Sequence, residues 1–241
     1  MDRTGNQIAH SLFLERIKNV YRKISSAAIR SGRSPFDVKL VAVTKTVPYE
    51  LIKEGIDLGL RVLGENRVQE AEQKIETCMV QCPDCDVEWH LVGHLQKNKT
   101  KAAVRLFDLI HSVDSAGLAQ ELNKCASKSG KTQRVLIQVK LSDEPTKHGV
   151  PRGDIMDLIK ALAEMKNLKL EGLMTMPPFF EDPEMARPFF RELNELREKA
   201  QRLGYKLPEL SMGMTHDYEV AILEGATMVR IGTAIFGDRP Q

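Results

Sequence analysis

The run FDVKLVAVTKTVP sets Lys45 at the end of an apolar stretch that reads as a buried strand. A lysine amine at the mouth of a pocket condenses with an aldehyde to a Schiff base, whereas a lysine that caps a strand in solvent does no chemistry. What lies opposite it decides between the two. In SMGMTHD, residues 211–217, Ser211, Gly213, Met214 and Thr215 combine small residues, a thioether and hydroxyls. That segment reads as a strand end followed by a helix capped by Thr215 or Asp217, and the same free N–H groups would receive a phosphate. Arg230, inside MVRIGTA, requires a partner for its guanidinium. The partner is either a carboxylate on a neighbouring strand or a ring nitrogen or phosphate oxygen of a ligand, with the amides of Gly232 and Thr233 taking the phosphate.

Other candidates carry an ordinary structural reading beside the chemical one. Asn66 in LGENRVQE caps the following helix or contacts a ligand, and His90 and His94 in EWHLVGHLQKNK are core or rim groups or part of a site. The i, i+4 spacing of these two histidines suits a metal only on a helix, and the segment reads as a strand running into a loop, so no zinc is expected there. KNKTK reads as the solvated start of a helix, though it could bind an anion. Cys78, Cys82 and Cys85 have a C-x3-C-x2-C spacing similar to the cluster ligands of radical S-adenosylmethionine enzymes. Pro83 and Asp84 place them in a turn, and a zinc site would need a fourth ligand, so loop cysteines and no metal are expected.

Such groups need elements to hold them. The chain has 241 residues, with 35 Lys plus Arg against 33 Asp plus Glu, a balance that gives no electrostatic footprint for nucleic acid or an anionic membrane. The segment MDRTGNQIAH has no apolar core of a signal peptide and no stretch is apolar enough to span a bilayer, so a cytoplasmic protein with reduced cysteines is expected. A leading helix is predicted over roughly residues 7–31, with Ile8, Leu12, Ile17, Tyr21, Ile24 and Ala28 on one stripe. Eight short apolar runs follow: KLVAVT, VLGE, EWHLVG, LIHSV, RVLIQVK, LEGLMT, ELSMGM and MVRIGTA. Amphipathic helical stretches separate them, several closed by glycine. The strands are too apolar for one-sided burial. The pattern predicts an α/β fold, a (β/α)8 TIM barrel with an extra N-terminal helix, as a single domain over 1–241 with 1–35 as the leading helix. In that fold the active site forms at the C-terminal ends of the strands, and phosphate binds after the last two. Lys45, SMGMTHD and RIGTAIFG all fall at that face, as does Lys147 of EPTKHG.

Taken in order, VAVTKT, LGENRVQE, WHLVGHLQKNK, HSVDS, EPTKHG, GLMTM and SMGMTHDYEVAILEGATMVRIGTAIFG resemble the pyridoxal phosphate homeostasis protein family, single-barrel relatives of the N-terminal domain of alanine racemase. The resemblance covers nearly everything after the leading helix, with Thr215 where that family usually has serine. It implies pyridoxal 5′-phosphate as cofactor, carried by Lys45 as an aldimine, with Arg230 facing the pyridine nitrogen. It also implies a cofactor site drawn from Lys45, Asn66, His90, Met174, Ser211, Gly213, Met214, Thr215, Arg230, Gly232 and Thr233. An arginine is a poor keeper of a proton on the ring nitrogen, which weakens the ring as an electron sink. The sequence runs only five residues past Phe236, in GDRPQ, without the second domain that supplies alanine racemase with an opposing acid/base. The expectation is a monomeric protein that holds the cofactor and delivers it to apo pyridoxal-dependent enzymes, with no strong catalytic activity. A racemase or other pyridoxal-dependent enzyme with an open single-barrel site is the alternative, and a phosphosugar-binding barrel with a lysine nucleophile is a further rival.

Overall fold

The computed structural model describes residues 3–142, 144 and 147–237, with the side chains of residues 3–9 outside that description. Pro145 and Thr146 of EPTKHG, residues 238–241, and the side chain of Ile8 therefore lie outside the described residues. The elements run α1 (Arg3–Arg30), β1 (Lys39–Val43), α2 (Tyr49–Asp57), β2 (Val62–Glu65), α3 (Val68–Gln81), β3 (Glu88–Leu91), α4 (Thr100–Leu106), β4 (Leu109–Val113) and α5 (Ala116–Lys128). The second half runs β5 (Gln133–Lys140), β6 (Val150–Pro151), α6 (Ile155–Ala163), β7 (Leu168–Met174), α7 (Arg187–Arg202), β8 (Glu209–Met214), α8 (Tyr218–Leu223), β9 (Met228–Ile231) and α9 (Thr233–Phe236). All pairings are parallel, and because β9 pairs with β1 and β4 with β5, the sheet closes on itself. Two-residue β6 hangs on the end of β5 outside the ring.

Closure follows from strands that are apolar on both faces. Along β1, Leu40 and Ala42 join the layer between sheet and helices, while Val41 faces the barrel axis. The axis holds a separate cluster of Val41, Val92, Leu109, Leu136, Met174 and Met228. At the N-terminal end of the barrel, ion pairs Lys39–Glu209, Arg134–Glu88 and Arg134–Glu171 cover this plug. The opposite, C-terminal end is where the chain leaves the sheet early, and that is where the structure departs from the predicted runs. β3 stops at Leu91 and β9 at Ile231, so Gly93 and Gly232–Ala234 lie beyond the strands. Gly93 is required there, because a Cβ would collide with the Asn66 carbonyl.

Helix α1 forms as predicted and buries Ile17, Ile24 and Ala28 of the expected stripe, joined by Phe13, Val20 and Ala27. Leu12 and Tyr21, expected on the buried face, are 57% and 42% exposed. The buried face is rotated slightly from the expected one, toward Phe13 and Val20, because the helix packs on α8 and α9, where Phe13 meets the ring of Phe236 at 5.7 Å. Burying each of these large side chains contributes about 1.5–3 kcal/mol, which fixes the rotation of the helix. The expectation of reduced cysteines is corrected: Cys82 and Cys85 form a disulfide across the α3–β3 connection, with Cα atoms 5.3 Å apart, and Cys78 is a buried thiol. Among the described residues no helix is long and apolar enough to cross a membrane.

Candidate functional site

The end of β1 is held from two sides. Buried Thr44 donates through Oγ1 to Glu65 Oε1 at 2.6 Å, and Lys74 of α3 donates through Nζ to the Thr44 carbonyl at 2.6 Å and to Glu65 and Glu70 carboxylates at 2.7 Å each. Thr46 has φ of 62°, an unusual conformation for a β-branched residue, and its N–H donates to Glu70 Oε1 at 2.5 Å. A non-glycine residue there costs of order 1–3 kcal/mol, offset by the bonds on both flanks. Lys45 sits between these two pinned residues. Burial pushes the Glu65 carboxyl up, while Lys74 and Thr44 oppose it. For Glu70 burial acts the same way, but the Lys74 and Thr46 hydrogen bonds outweigh it and hold the carboxyl low.

A cavity of about 630 Å³ opens at the C-terminal ends of the strands. Lys45, Asn66, Met214, Thr215, Arg230, Gly232 and Thr233 line it, together with Val43, Thr46, Val92, Gln138, Met176 and Phe179 and with the histidines His94, His148 and His216. The fold thus brings the lysine after β1, the loop after β8 and the start of α9 to one space. In the short helix α9 the Ile235 and Phe236 N–H groups both donate to the Gly232 carbonyl at 2.9 Å, so of its first turn only the Thr233 and Ala234 N–H groups remain for an occupant of the cavity. Lys147 is engaged elsewhere, donating to the Pro177 carbonyl at 2.9 Å.

Arg230 reaches the cavity from the barrel interior and is 4% exposed. Its guanidinium donates to Ser211 Oγ at 2.5 Å and to the Thr175 carbonyl at 2.8 Å, both neutral acceptors. Burial pulls its pKa down to about 10, with Asp217 opposing, so it remains a cation at neutral pH. Behind it runs a continuous chain: Ser211 to His111 Nδ1 at 2.8 Å, His111 Nε2 to His90 Nδ1 at 3.0 Å, and His90 Nε2 to Glu88 Oε2 at 3.1 Å. Burial lowers the pKa of His90, against the pull of Glu88, and lowers that of His111 well below the usual value. With both rings neutral, one polarity satisfies every member: each group donates toward Glu88, from Arg230 through Ser211, His111 and His90. The His90 hydrogen bond, with Arg134 alongside, holds the Glu88 carboxyl at about 2.

Residues 14–240 match the family described as alanine racemase, N-terminal domain. The pyridoxal phosphate homeostasis protein of Aquifex aeolicus (strain VF5) is 48% identical over 226 residues, covering 93% of this chain and 97% of that protein. The protein of the same name from Escherichia coli (strain K12) is 41% identical over 240 residues, 97% of each chain. The chain belongs to the pyridoxal phosphate homeostasis protein family. Among solved structures, PipY of Synechococcus elongatus PCC7942 with pyridoxal phosphate bound is 35% identical and superposes with a TM-score of 0.81, covering 93% of this chain and 100% of that one.

In this member of the pyridoxal phosphate homeostasis family, the expected site residues divide into a wall and a backing. His90, Met174 and Ser211 have no exposed surface, and with buried Gly213 they stand behind the cavity rather than in its wall. Met174 packs in the axial cluster, and Ser211 and His90 belong to the relay. Gly213, at φ of 91°, lies 2.6 Å from Ala221 Cβ by the position its own Cβ would take, so it is needed for packing of α8 on β8. Period-two alternation aims His90, Met174 and Ser211 inward, whereas Gly213, within a register shift of β8, faces α8; depth along the axis decides whether an inward residue meets a ligand or the plug. His111 was missed because LIHSV reads as a plain buried strand. Gln138 and Phe179 carried no local motif of their own, and His148 lies in EPTKHG, where the lysine was the residue singled out.

The two buried histidines give a pH signature. Unfolded, each takes up a proton as pH falls through about 6.5, while the folded state resists, so stability is lost below that pH by about 1.4 kcal/mol per pH unit for each ring until the folded pKa is reached. Urea midpoints measured between pH 7.5 and 5.5 are expected to fall steeply. His111→Gln, whatever its cost at pH 7.5, is expected to flatten the profile; an unchanged slope would assign the loss to other groups.

Proposed function

We propose that this chain holds pyridoxal 5′-phosphate through Lys45 and passes it to other proteins, with little turnover of its own. The observation that carries this reading is the placement of Lys45 and the buried, cationic Arg230 on one cavity. The residues present fit the cofactor. Arg230 has neutral partners and a face on the cavity, suited to an acceptor such as a ring nitrogen. The hydroxyls of Thr215 and Thr233 and the N–H groups of Thr233 and Ala234 offer donors to a phosphate. Val43 and Val92 supply apolar wall.

When bound, the cofactor offers an aldehyde that forms a Schiff base with a lysine amine and a ring that withdraws electrons most strongly when its nitrogen is protonated. The protein's own groups work against the second property. Arg230 donates hydrogen bonds but keeps its proton, and the relay behind it is polarised away from the cavity, so no proton path leads from Glu88 to the site. At the mouth, His94 and His148 are stacked on one another at 3.8 Å, and His216 meets the Glu181 carbonyl at 2.8 Å. A general acid or base typically contributes 10²–10⁴-fold, and none of these groups is set for that task.

Cofactor-loaded protein incubated with L-amino acids in deuterated water is expected to exchange α-protons no faster than the free cofactor does. It is also expected to reactivate an apo pyridoxal-dependent enzyme faster than dissociated cofactor allows. Rapid, stereospecific deuteration with turnover of one amino acid would replace the carrier reading by a racemase-like enzyme.

A further inference from the structure

We propose that His94, Asp114 and His148 form a binding site for a divalent transition-metal ion at the mouth of the cavity. The sequence offered no such site, because it paired His94 with His90, and those two part company: His90 is buried in the relay, whereas His94 meets groups from two other loops. His94 follows β3, Asp114 follows β4, and His148 precedes β6, so barrel closure, not local spacing, assembles them. One donor atom from each lies within 4.8 Å of the others. His94 Nδ1 and Asp114 Oδ2 are 3.5 Å apart, and the two imidazoles stack at 3.8 Å with an interplanar angle of 12°.

A tetrahedral ion bonded at about 2.0–2.1 Å sets its ligands roughly 3.3 Å apart, so rotation of exposed histidine side chains suffices to close the set. Two imidazoles and one carboxylate suit Zn²⁺, Ni²⁺ or Co²⁺, while Ca²⁺ and Mg²⁺ prefer oxygen ligands. Three protein donors leave at least one coordination position open toward the cavity that His94 and His148 line. The in-plane lone pairs of rings stacked at 12° do not converge, so ligation turns the two imidazoles out of the stack and toward Asp114. Bound there, the ion would cross-link three loops at the entrance.

The test is titration of the chelator-treated full chain with Co²⁺ alone, followed by its visible d–d bands, and with Zn²⁺ by calorimetry, on both cofactor-loaded and cofactor-stripped protein. One equivalent is expected in either form, with bands of nitrogen and oxygen ligation. His148→Ala and Asp114→Ala are each expected to weaken binding at least about tenfold, since even changes outside the ligand set act on that scale. His10→Ala, which removes an exposed histidine paired with Glu54, is expected to leave it unchanged. Circular dichroism melts confirm that the variants fold. Wild-type affinity in His148→Ala, binding that disappears with the cofactor, or a thiolate charge-transfer band from the cysteines would each overturn the site.

Discussion

Lys45→Ala is expected to abolish the visible absorbance of the cofactor-loaded protein and to leave no cofactor attached after borohydride treatment. Two other lysines of this face lie outside the cavity wall and are held by protein groups. Lys74 lies between Glu65, Glu70 and the Thr44 carbonyl, and Lys147 is tied to the Pro177 carbonyl. A lysine amine must reach the aldehyde to attack it, and Lys74 and Lys147 are not part of the cavity wall. Among the described residues Lys45 is the lysine in the cavity wall, and it has a rigid anchor on either side. The variant should still fold, because Thr44 and Glu65 keep their contacts. A yellow Lys45→Ala protein would move the attachment point and undo the site as drawn.

Removing the phosphate should have the second largest effect. A dianion facing hydroxyls and first-turn N–H groups gains charge-assisted hydrogen bonds worth about 1.5–3 kcal/mol each, and an alcohol replaces them poorly. Losing two of them is about 3–6 kcal/mol, so pyridoxal is expected to bind roughly 10²- to 10⁴-fold more weakly than its phosphate. Thr215→Ala, which removes a single hydroxyl of the wall, is expected to loosen the cofactor about tenfold or more. Competition measured by absorbance on one protein sample compares these affinities directly. Equal affinity for pyridoxal and its phosphate would show that the loop after β8 and the start of α9 do not hold the phosphate.

These expectations rest on features that differ in how visible they were beforehand. The places of Lys45, Thr215 and Arg230 on the cavity were legible because each breaks a local pattern: a charge ending an apolar run, a hydroxyl just past a strand end, a guanidinium inside a strand. The barrel was legible because strand and helix alternate and the strands are apolar on both faces. The relay was not, since it links β3, β4, β8 and β9 at bonding distance and exists only once the sheet closes. For the same reason the depth of His90 and Ser211, behind the cavity wall, was not visible: alternation tells inward from outward but not how far below the mouth a residue lies. The supporting set of Lys74, Glu65 and Glu70 was hidden differently. Its members look like ordinary charges on a helix face and a strand end, and only the pairing of β1 with β2 brings α3 over the turn at Thr46. On α1 the ambiguity was rotational, and a partner ring resolved it.

The central claim, that Lys45 holds the cofactor covalently opposite Arg230, is tested most directly by borohydride reduction of wild-type protein loaded with pyridoxal 5′-phosphate, followed by proteolysis and mass spectrometry. Reduction should bleach the visible band and leave one phosphopyridoxyl group on the peptide containing VAVTK, at Lys45. A modification concentrated at Lys74, Lys147 or scattered over surface lysines, with the VAVTK peptide unmodified, would contradict it.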